Sequence, residues 1–328
     1  MKNLSKILRD KQLYVGFLLS ETVIWTSFND IYVRIPQMNE KFGHFKIPYF
    51  KLGSFEKISF DGEFLHLDGL KIGLEPTDER FERETGADHG ADIDIDIKSL
   101  KWLNRAVCHP SEVRKHLEYL WINPARLIAT DGHRLHRQQR ETAEKHPEYA
   151  IPRDIALDIA KLPFRSISIK SLDWTAKRPI YSKTFSAICD GYTVEFWDLK
   201  QPEECPPYEQ IIPKNTEESF AFETKNFVKW LKKHKKIVDG CLMTVKRDRL
   251  SAVIQKADVS VIEHFDLIDS TFSEWEPFIF MINVNYLIDT LDGTDFAIFS
   301  FEDRNNLNPV KVEIARQKKT AVLMPMRF

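Results

Sequence analysis

The segment IATDGHRL, residues 128–135, and the residue that follows it bring Asp131, His133 and His136 close together in the chain. Carboxylates and imidazoles are common metal ligands, and both act as general acids or bases. The cluster is therefore a candidate active site or metal site. It is equally a candidate turn with no chemistry of its own. The residues and elements elsewhere in the chain distinguish these interpretations.

The catalytic interpretations find little support in the rest of the chain. In an extended strand, His133 and His136 point to opposite faces, and no further carboxylate or cysteine is spaced to complete a metal site. No GxSxG, HExxH or phosphate-cradling glycine loop is present. We therefore predict that the protein is not an enzyme, with no catalytic residue, no metal and no cofactor. A metal-dependent hydrolase or nuclease is the less favoured alternative.

Cysteine usage and composition indicate a cytoplasmic globular protein. The cysteines are far apart in sequence, which argues against a zinc site and a disulfide framework and fits a reducing compartment. They are Cys108, Cys189, Cys205 and Cys241. The sequence has no apolar run of about 18 residues, and the N-terminus MKNLSKILRD has no apolar signal-peptide core. We expect no membrane association.

Positive charge is concentrated in the segment TKNFVKWLKKHKKIV, residues 224–238. The chain has a formal net charge of −2, yet this segment holds six lysines and no acidic residue. Helical spacing predicts an apolar face of Phe227, Trp230, Leu231, His234, Ile237 and Val238. The opposite face carries Lys225, Lys229, Lys232, Lys233, Lys235 and Lys236. Solvated helix faces usually mix signs, so a face of lysines alone favours contact with a polyanion.

A weaker copy of this pattern occurs at residues 95–107, IDIKSLKWLNRAV. Lys98, Lys101 and Arg105 form a stripe opposite Ile97, Leu100, Leu103 and Val107. For this helix alone, an ordinary solvated face remains the simpler interpretation.

The two helices also indicate an internal repeat. Residues 101–103 and 229–231 both read KWL, and segments starting near 45, 149 and 280 each combine a short strand, a break and a helix. Alternating strand-like segments follow each one. The pattern predicts an α+β fold of three repeated domains, each with two helices and antiparallel sheets, at 1–92, 93–214 and 215–328.

Four segments together resemble the bacterial replicative sliding clamp, the beta subunit of DNA polymerase III holoenzyme. They are IATDGHRL, PPYEQIIPKN (206–215), NYLIDTL (285–291) and the C-terminal AVLMPMRF (321–328). The resemblance covers residues 93–328 well and is weak before them. It implies three similar domains per chain and a head-to-tail homodimeric ring around double-stranded DNA. The ring contacts DNA without reading sequence and tethers a DNA polymerase, a clamp loader and other partners.

The resemblance assigns roles to individual positions. Residues facing DNA would be Lys98, Lys101, Arg105, Arg114, Lys225, Lys229, Lys232, Lys233 and Lys236. The dimer interface would lie near Leu70 and Ile72 on one chain and Ile237 and Val238 on the next.

The segment IATDGHRL would be a strand running into a tight turn at Asp131-Gly132, beside a hydrophobic groove that captures short clamp-binding peptides. The groove would comprise Leu117, Thr130, Gly132, His133, Arg134, Leu135, Pro206, Gln210, Ile211, Tyr286, Leu307, Pro309, Val322, Met324, Pro325, Met326 and Arg327. Methionine side chains adapt to varied partners. Without the resemblance, Met324 and Met326 would be read as part of a C-terminal core strand.

The sequence departs from the family pattern in several places. Gln210 stands where the family usually has a groove arginine, Pro309 where a small polar residue is common, and Phe328 where leucine is usual. The first domain also looks shortened. These departures leave one rival open, a clamp paralogue that binds or sequesters clamp partners without encircling DNA.

Overall fold

The structure is a computed structural model. It describes residues 7–8, 12–18, 20–26, 31–39, 43–47, 58–61, 63–78, 89–93, 95–109, 114–140, 148–171, 183–198, 204–237, 239–256 and 259–328. Chain contacts divide the protein into two compact units. Unit 1 comprises residues 1–101 and 154–202, and unit 2 comprises residues 102–153 and 203–328.

The described residues include four α-helices and three short 3-10 helices. The α-helices are α1 (Ile97–Asn104), α2 (Arg153–Ile159), α3 (Thr224–His234) and α4 (Val284–Leu291). The 3-10 helices are Lys115–Glu118, Tyr208–Ile211 and Ala315–Gln317.

Strands make up most of the described fold. In unit 1 they are β1 (Leu13–Phe17), β2 (Glu21–Thr26), β3 (Ile31–Pro36), β4 (Gly43–Ile47), β5 (Ile58–Phe60), β6 (Phe64–Leu67), β7 (Leu70–Gly73), β8 (Glu75–Pro76), β9 (His89–Ile93), β14 (Phe164–Ser171), β15 (Lys183–Cys189) and β16 (Tyr192–Asp198). In unit 2 they are β10 (Tyr119–Ile122), β11 (Arg126–Thr130), β12 (Arg134–Gln139), β13 (Tyr149–Pro152), β17 (Glu218–Glu223), β18 (Gly240–Val245), β19 (Arg249–Lys256), β20 (Val259–Ser270), β21 (Phe278–Asn283), β22 (Phe296–Phe301), β23 (Val310–Ile314) and β24 (Lys319–Leu323).

Unit 1 contains a nine-stranded sheet in the order β8-β4-β1-β2-β3-β16-β15-β14-β9, together with the three-stranded sheet β5-β6-β7. Its pairings are antiparallel. Phe17 on β1 stacks on Phe60 of β5 with ring centroids 3.9 Å apart, so an aromatic pair joins the two sheets in the core of this unit.

Unit 2 is built on one twelve-stranded sheet, in the order β13-β10-β11-β12-β24-β23-β22-β17-β20-β19-β18-β21. Its core is rich in phenylalanine, and Phe220, Phe222, Phe280 and Phe299 are fully buried. Phe220 and Phe299 face each other across β17 and β22 with ring centroids 5.1 Å apart.

Local sequence explains where the helices begin. Asp96 caps α1, because its Oδ1 accepts hydrogen bonds from the backbone N–H groups of Lys98 (2.7 Å) and Ser99 (2.9 Å). Asn283 caps α4 in the same way through Asn285 and Tyr286. In α3 the last turn carries Lys232, Lys233 and His234, where positive charge complements the helix dipole.

The predicted α+β class and the two amphipathic helices are confirmed, with shorter bounds than the patterns suggested. Helix α3 ends at His234, and Ile237 lies in the turn that follows. Val238, and the first-domain helix predicted from residue 45 onward, lie wholly or mostly outside the described residues. The boundary between the two units falls within α1, and the three-domain division at 92 and 214 stays a prediction.

Among the residues that the structure describes, no helix has both the length and the apolar character needed to cross a membrane.

Candidate functional site

The segment IATDGHRL forms strand β11, a tight turn and the start of β12, as predicted. Asp131 Oδ1 accepts hydrogen bonds from the backbone N–H groups of His133 and Arg134, both at 2.9 Å. Gly132 has a φ of +86°, a conformation that favours glycine. A Cβ at this position would lie 2.6 Å from Nη1 of Arg114, but that atom is the end of an exposed, flexible side chain that can move away, so the turn requires glycine for its backbone conformation.

The C-terminal segment is fastened beside this turn. Strand β24 pairs with β12, with Leu135 opposite Val322 and Arg134 opposite Leu323. Beyond β24, the Met324 N–H donates to the His133 carbonyl at 3.0 Å, and the Met326 N–H donates to the Met281 carbonyl at 2.7 Å. The chain end therefore lies between the turn and β21.

A buried apolar cluster supports the turn and the tail. It contains Trp121, Ile128, Leu135, Ala150 and Val322, with Tyr119, Cys205, Tyr208 and Ile212 packed against it. Leu135 and Val322 are both completely buried. These two predicted groove residues therefore belong to the floor beneath the surface.

Other predicted groove residues remain accessible. Ile211 is 38% exposed and Leu307 is 43% exposed, while Met324 and Met326 are half-buried. The half-buried Tyr286 lies on α4 beneath the guanidinium of Arg134, which is 4.5 Å from its ring centroid. The surface around the 131–133 turn thus offers a thioether group from Met324 and an aromatic ring from Tyr286.

Arg134 ties the turn to α4. Its Nε is 3.0 Å from Asp131 Oδ2, and its Nη1 is 2.6 Å from Asp289 Oδ2. Its Nη2 donates to the Arg105 carbonyl. The Arg134 side chain is only 10% exposed and pairs with both carboxylates, so it holds the turn against α4.

Helix α3 presents the predicted lysine face. Lys225, Lys229, Lys232 and Lys233 are exposed on the helix and Lys236 just beyond it, while Phe227, Val228, Trp230 and Leu231 are buried. Val228 extends the apolar face beyond the residues predicted. The lysine side chains point away from the core, which leaves them available to a polyanion.

Acidic residues at the end of α4 neutralise part of this positive surface. Asp292 lies 2.6 Å from Lys232 Nζ and 3.3 Å from Arg105 Nη2. Asp289 is 3.9 Å from Arg105 Nε. Two of the predicted DNA-facing cations therefore have carboxylate partners.

Comparison with solved structures gives a consistent result over almost the whole chain. The DNA polymerase III subunit beta of Pseudomonas aeruginosa matches with a TM-score of 0.73 at 17% identity, covering 97% of this chain and 93% of that one. The DNA polymerase sliding clamp of Caulobacter crescentus matches with a TM-score of 0.70 at 17% identity, covering 97% and 92%. A sliding clamp of Bartonella birtlesii bound to griselimycin matches with a TM-score of 0.72 at 18% identity, covering 97% and 92%.

The chain has the sliding-clamp fold. No family model matches its sequence. No curated protein matches it either. The fold recognised from four short segments is thus confirmed by structure.

Within this sliding-clamp fold, His136 is a buried structural residue. Its Nδ1 lies 2.8 Å from the Trp102 carbonyl, and its Nε2 lies 3.1 Å from Thr290 Oγ1. Burial lowers the pKa of His136 to about 3, and the nearby Arg134 also disfavours its charged form. His133 is exposed in the turn, so the two histidines do not share a site.

Metal ligation finds no geometric support in the described part of the sliding-clamp fold. No group of three or more histidine, cysteine, aspartate or glutamate side chains is placed there to hold an ion. Both Asp131 oxygens are engaged by the turn and by Arg134.

The remaining predicted positions of the sliding-clamp fold lie on separate elements of the two units. Lys98 and Lys101 are exposed on α1, whereas Arg114 lies over Gly132 at the groove turn. Leu70 is 54% exposed on the edge strand β7, but its neighbour Ile72 is only 8% exposed. Sequence reasoning missed Asp289 and Asp292, although both lie within or beside the quoted segment NYLIDTL.

Proposed function

We propose that the protein is a DNA polymerase processivity factor that encircles duplex DNA as a head-to-tail homodimer. The observation that carries this proposal is the exposed lysine face of α3 in a chain with the sliding-clamp fold. A chain with a formal charge of −2 gains no general attraction to DNA, so such a face indicates a local surface that binds a polyanion.

Long lysine side chains suit a surface that must slide. They contact phosphates through mobile, hydrated ammonium groups, and phosphate contacts carry no sequence information. Binding through them is strongly salt-dependent because it releases counterions from DNA. We therefore expect contact with DNA without sequence preference.

Ring closure is supported by an unpaired strand edge. Strand β20 pairs with β19 through residues 259–266, and no described strand pairs with its other edge over those residues. Val259 and Ile262 on that stretch are 56% and 57% exposed. An exposed edge with apolar side chains invites strand addition. We propose that β7 of a second copy, where Leu70 is exposed, contributes the other side of this joint.

The groove beside the 131–133 turn would tether partners. We propose that short peptide segments of a DNA polymerase and a clamp loader bind across His133, Ile211, Tyr286 and Met324. Adaptable apolar groups at a rigid turn favour peptides with large aliphatic or aromatic residues. A clamp tethers its partners to DNA and catalyses no reaction, so we propose no catalytic role and no cofactor. Its place would be the cytoplasm, beside the DNA.

A loading experiment tests this function. The protein is incubated with nicked circular duplex, a bacterial clamp loader and ATP, and the DNA is then isolated by gel filtration. We expect the protein to co-elute with circular DNA and to be released when the circle is cut. A protein that binds clamp-binding peptides but never co-elutes with circular DNA would be the paralogue that does not encircle DNA.

A further inference from the structure

A cleft beside helix α3 brings opposite charges face to face. It has a volume of about 440 Å³, with Lys225, Lys229 and Lys232 on one wall and Asp292 and Asp295 on the other. Val228 and Leu291 add apolar surface. The cleft thus contains three of the lysines that would meet DNA, together with carboxylates that compete for them.

The carboxylates of Asp292 and Asp295 differ in their ion pairs. Asp292 pairs with Lys232 at 2.6 Å and with Arg105 at 3.3 Å. Burial raises the pKa of Asp292, but the hydrogen bond from Lys232 and the charge of Arg105 outweigh it and leave that pKa below its usual value. Asp292 is therefore charged at neutral pH.

Asp295 is exposed and forms no ion pair with any described residue. Its backbone carbonyl accepts a hydrogen bond from the Thr224 N–H at 2.9 Å, whereas its carboxylate is left to solvent. Lys225 and Lys229 likewise have no carboxylate partner in the part of the chain that the structure describes. Counting partners among the described residues, the cleft therefore holds one carboxylate with an ion-pair partner and one without.

We propose that Asp292 is a counter-charge that keeps Lys232 and Arg105 from contacting DNA phosphates. It thereby lowers the number of phosphate contacts that the DNA-facing surface makes. A carboxylate at hydrogen-bond distance occupies the same N–H groups that a phosphate would need. A clamp that slides benefits from fewer fixed phosphate contacts, and Asp292 removes up to two of them. This inference rests on the proposed function, because it assumes that the lysine face meets DNA.

The test measures how binding to a short fluorescent duplex depends on salt. Anisotropy titrations of the full chain at several NaCl concentrations give the slope of log affinity against log salt. Asp292→Asn should steepen this slope by about 0.9 to 1.8, which corresponds to one or two additional phosphate contacts. Asp295→Asn removes the same charge from the same cleft and should steepen it by much less.

A double-mutant cycle isolates the ion pair. Lys232→Gln should change the slope little in the parent chain, where Asp292 holds the lysine. In the Asp292→Asn background it should cost about one contact, or about 0.9 in slope. Thermal unfolding of each variant shows whether it remains folded. In the Asp292→Asn background, the chains with and without Lys232 both lack the ion pair, so the difference between their slopes reports the lysine alone.

Lys229→Gln distinguishes failure of the counter-charge proposal from failure of the DNA-facing role of α3. If Lys229→Gln flattens the slope while Asp292→Asn and Asp295→Asn behave alike, the lysine face meets DNA and the counter-charge proposal is overturned. Equal effects of Lys232→Gln in both backgrounds would overturn it as well. If Lys229→Gln changes nothing, the assignment of α3 to DNA is wrong, and the proposal falls with it.

Discussion

The ring of His136 stacks on the ring of Trp102, with centroids 4.2 Å apart and planes inclined by only 9°. The Trp102 indole N–H donates to the Thr290 carbonyl at 2.9 Å. Trp102 and His136 therefore both contact Thr290 of α4 in one buried cluster. The contact requires a neutral imidazole, because a charged ring would be buried beside Arg134.

This contact predicts a pH dependence of folding. The pKa of His136 is lowered from 6.5 to about 3 in the folded chain, so its stabilisation is fully present above pH 6.5. It is lost as pH falls towards 3, because the unfolded chain binds a proton that the folded chain does not. The free energy of unfolding should fall by about 1.4 kcal/mol per pH unit in this window through His136.

Urea unfolding between pH 7 and pH 4 checks this prediction. His136→Gln should flatten the pH dependence relative to the parent, whatever its effect on stability at pH 7. His133→Gln, in the exposed turn, is the matched control and should leave the slope unchanged. Equal slopes in all three proteins would show that His136 does not titrate on unfolding.

The lysine face predicts weaker DNA binding on charge reversal. We choose Lys225, Lys229 and Lys233, which have no carboxylate partner among the described residues, for substitution by glutamate. Loss of three phosphate contacts should flatten the salt slope by about 2.7. Folding should be intact because the apolar face of α3 is untouched.

A triple variant with the same charge change elsewhere is the control for this experiment. Lys214, Arg249 and Lys256 are exposed on other elements of unit 2. Their replacement by glutamate should alter binding much less than replacement of the α3 lysines. Similar losses in the two triple variants would indicate a general charge effect and not a defined surface.

The groove predicts micromolar binding of a short peptide. A peptide with a glutamine followed by leucine and phenylalanine would bury two large side chains, worth roughly 3–6 kcal/mol before entropic costs. Met324→Ala should weaken binding several-fold in calorimetry, because Met324 is accessible beside His133. Leu135→Ala is a poorer test, since Leu135 is completely buried and its loss would affect folding.

Ile268→Ala provides a control for the groove experiment. Ile268 is 64% exposed on β20 and is not among the predicted groove residues. Its truncation should leave peptide affinity unchanged. If Met324→Ala binds as tightly as Ile268→Ala, the peptide does not use the surface beside the 131–133 turn.

The β20 edge predicts a dimer that one substitution weakens. Sedimentation at micromolar concentration should give twice the chain mass, and Ile262→Asp should shift the protein towards monomer without unfolding it. Ile279→Asp, with a 40% exposed residue on β21, is the control and should stay dimeric.

Ile72→Asp would not distinguish loss of the dimer from loss of folding, because Ile72 is buried and a charge there would disrupt unit 1 itself. A parent chain that remains monomeric at high concentration would contradict the joint.

Local patterns predicted the parts of the molecule that depend on nearby residues. The 131–133 turn follows from Asp131 and Gly132, and the lysine face follows from helical spacing within α3. Helical spacing extends the apolar face of α3 to Val238, but the helix ends at His234.

Contacts between distant segments could not be read in the same way. Lys232 and Asp292 are 60 residues apart, and Arg105 and Asp292 are 187 apart. Charge patterning along one helix cannot show which acid the fold brings opposite it. The sequence predicts Leu135 in the groove wall, but the pairing of β24 with β12 buries it completely.

Topological retention on DNA tests the encircling clamp most directly, without any partner protein. A linear duplex is fixed to a bead at one end, the protein is allowed to thread over the free end, and that end is then blocked. High salt removes ionic contacts but cannot remove a closed ring. We predict that protein on blocked DNA survives the salt wash, leaves when a restriction enzyme cuts the duplex, and washes off DNA with an open end. Equal loss from blocked and open DNA would contradict a ring that encircles DNA.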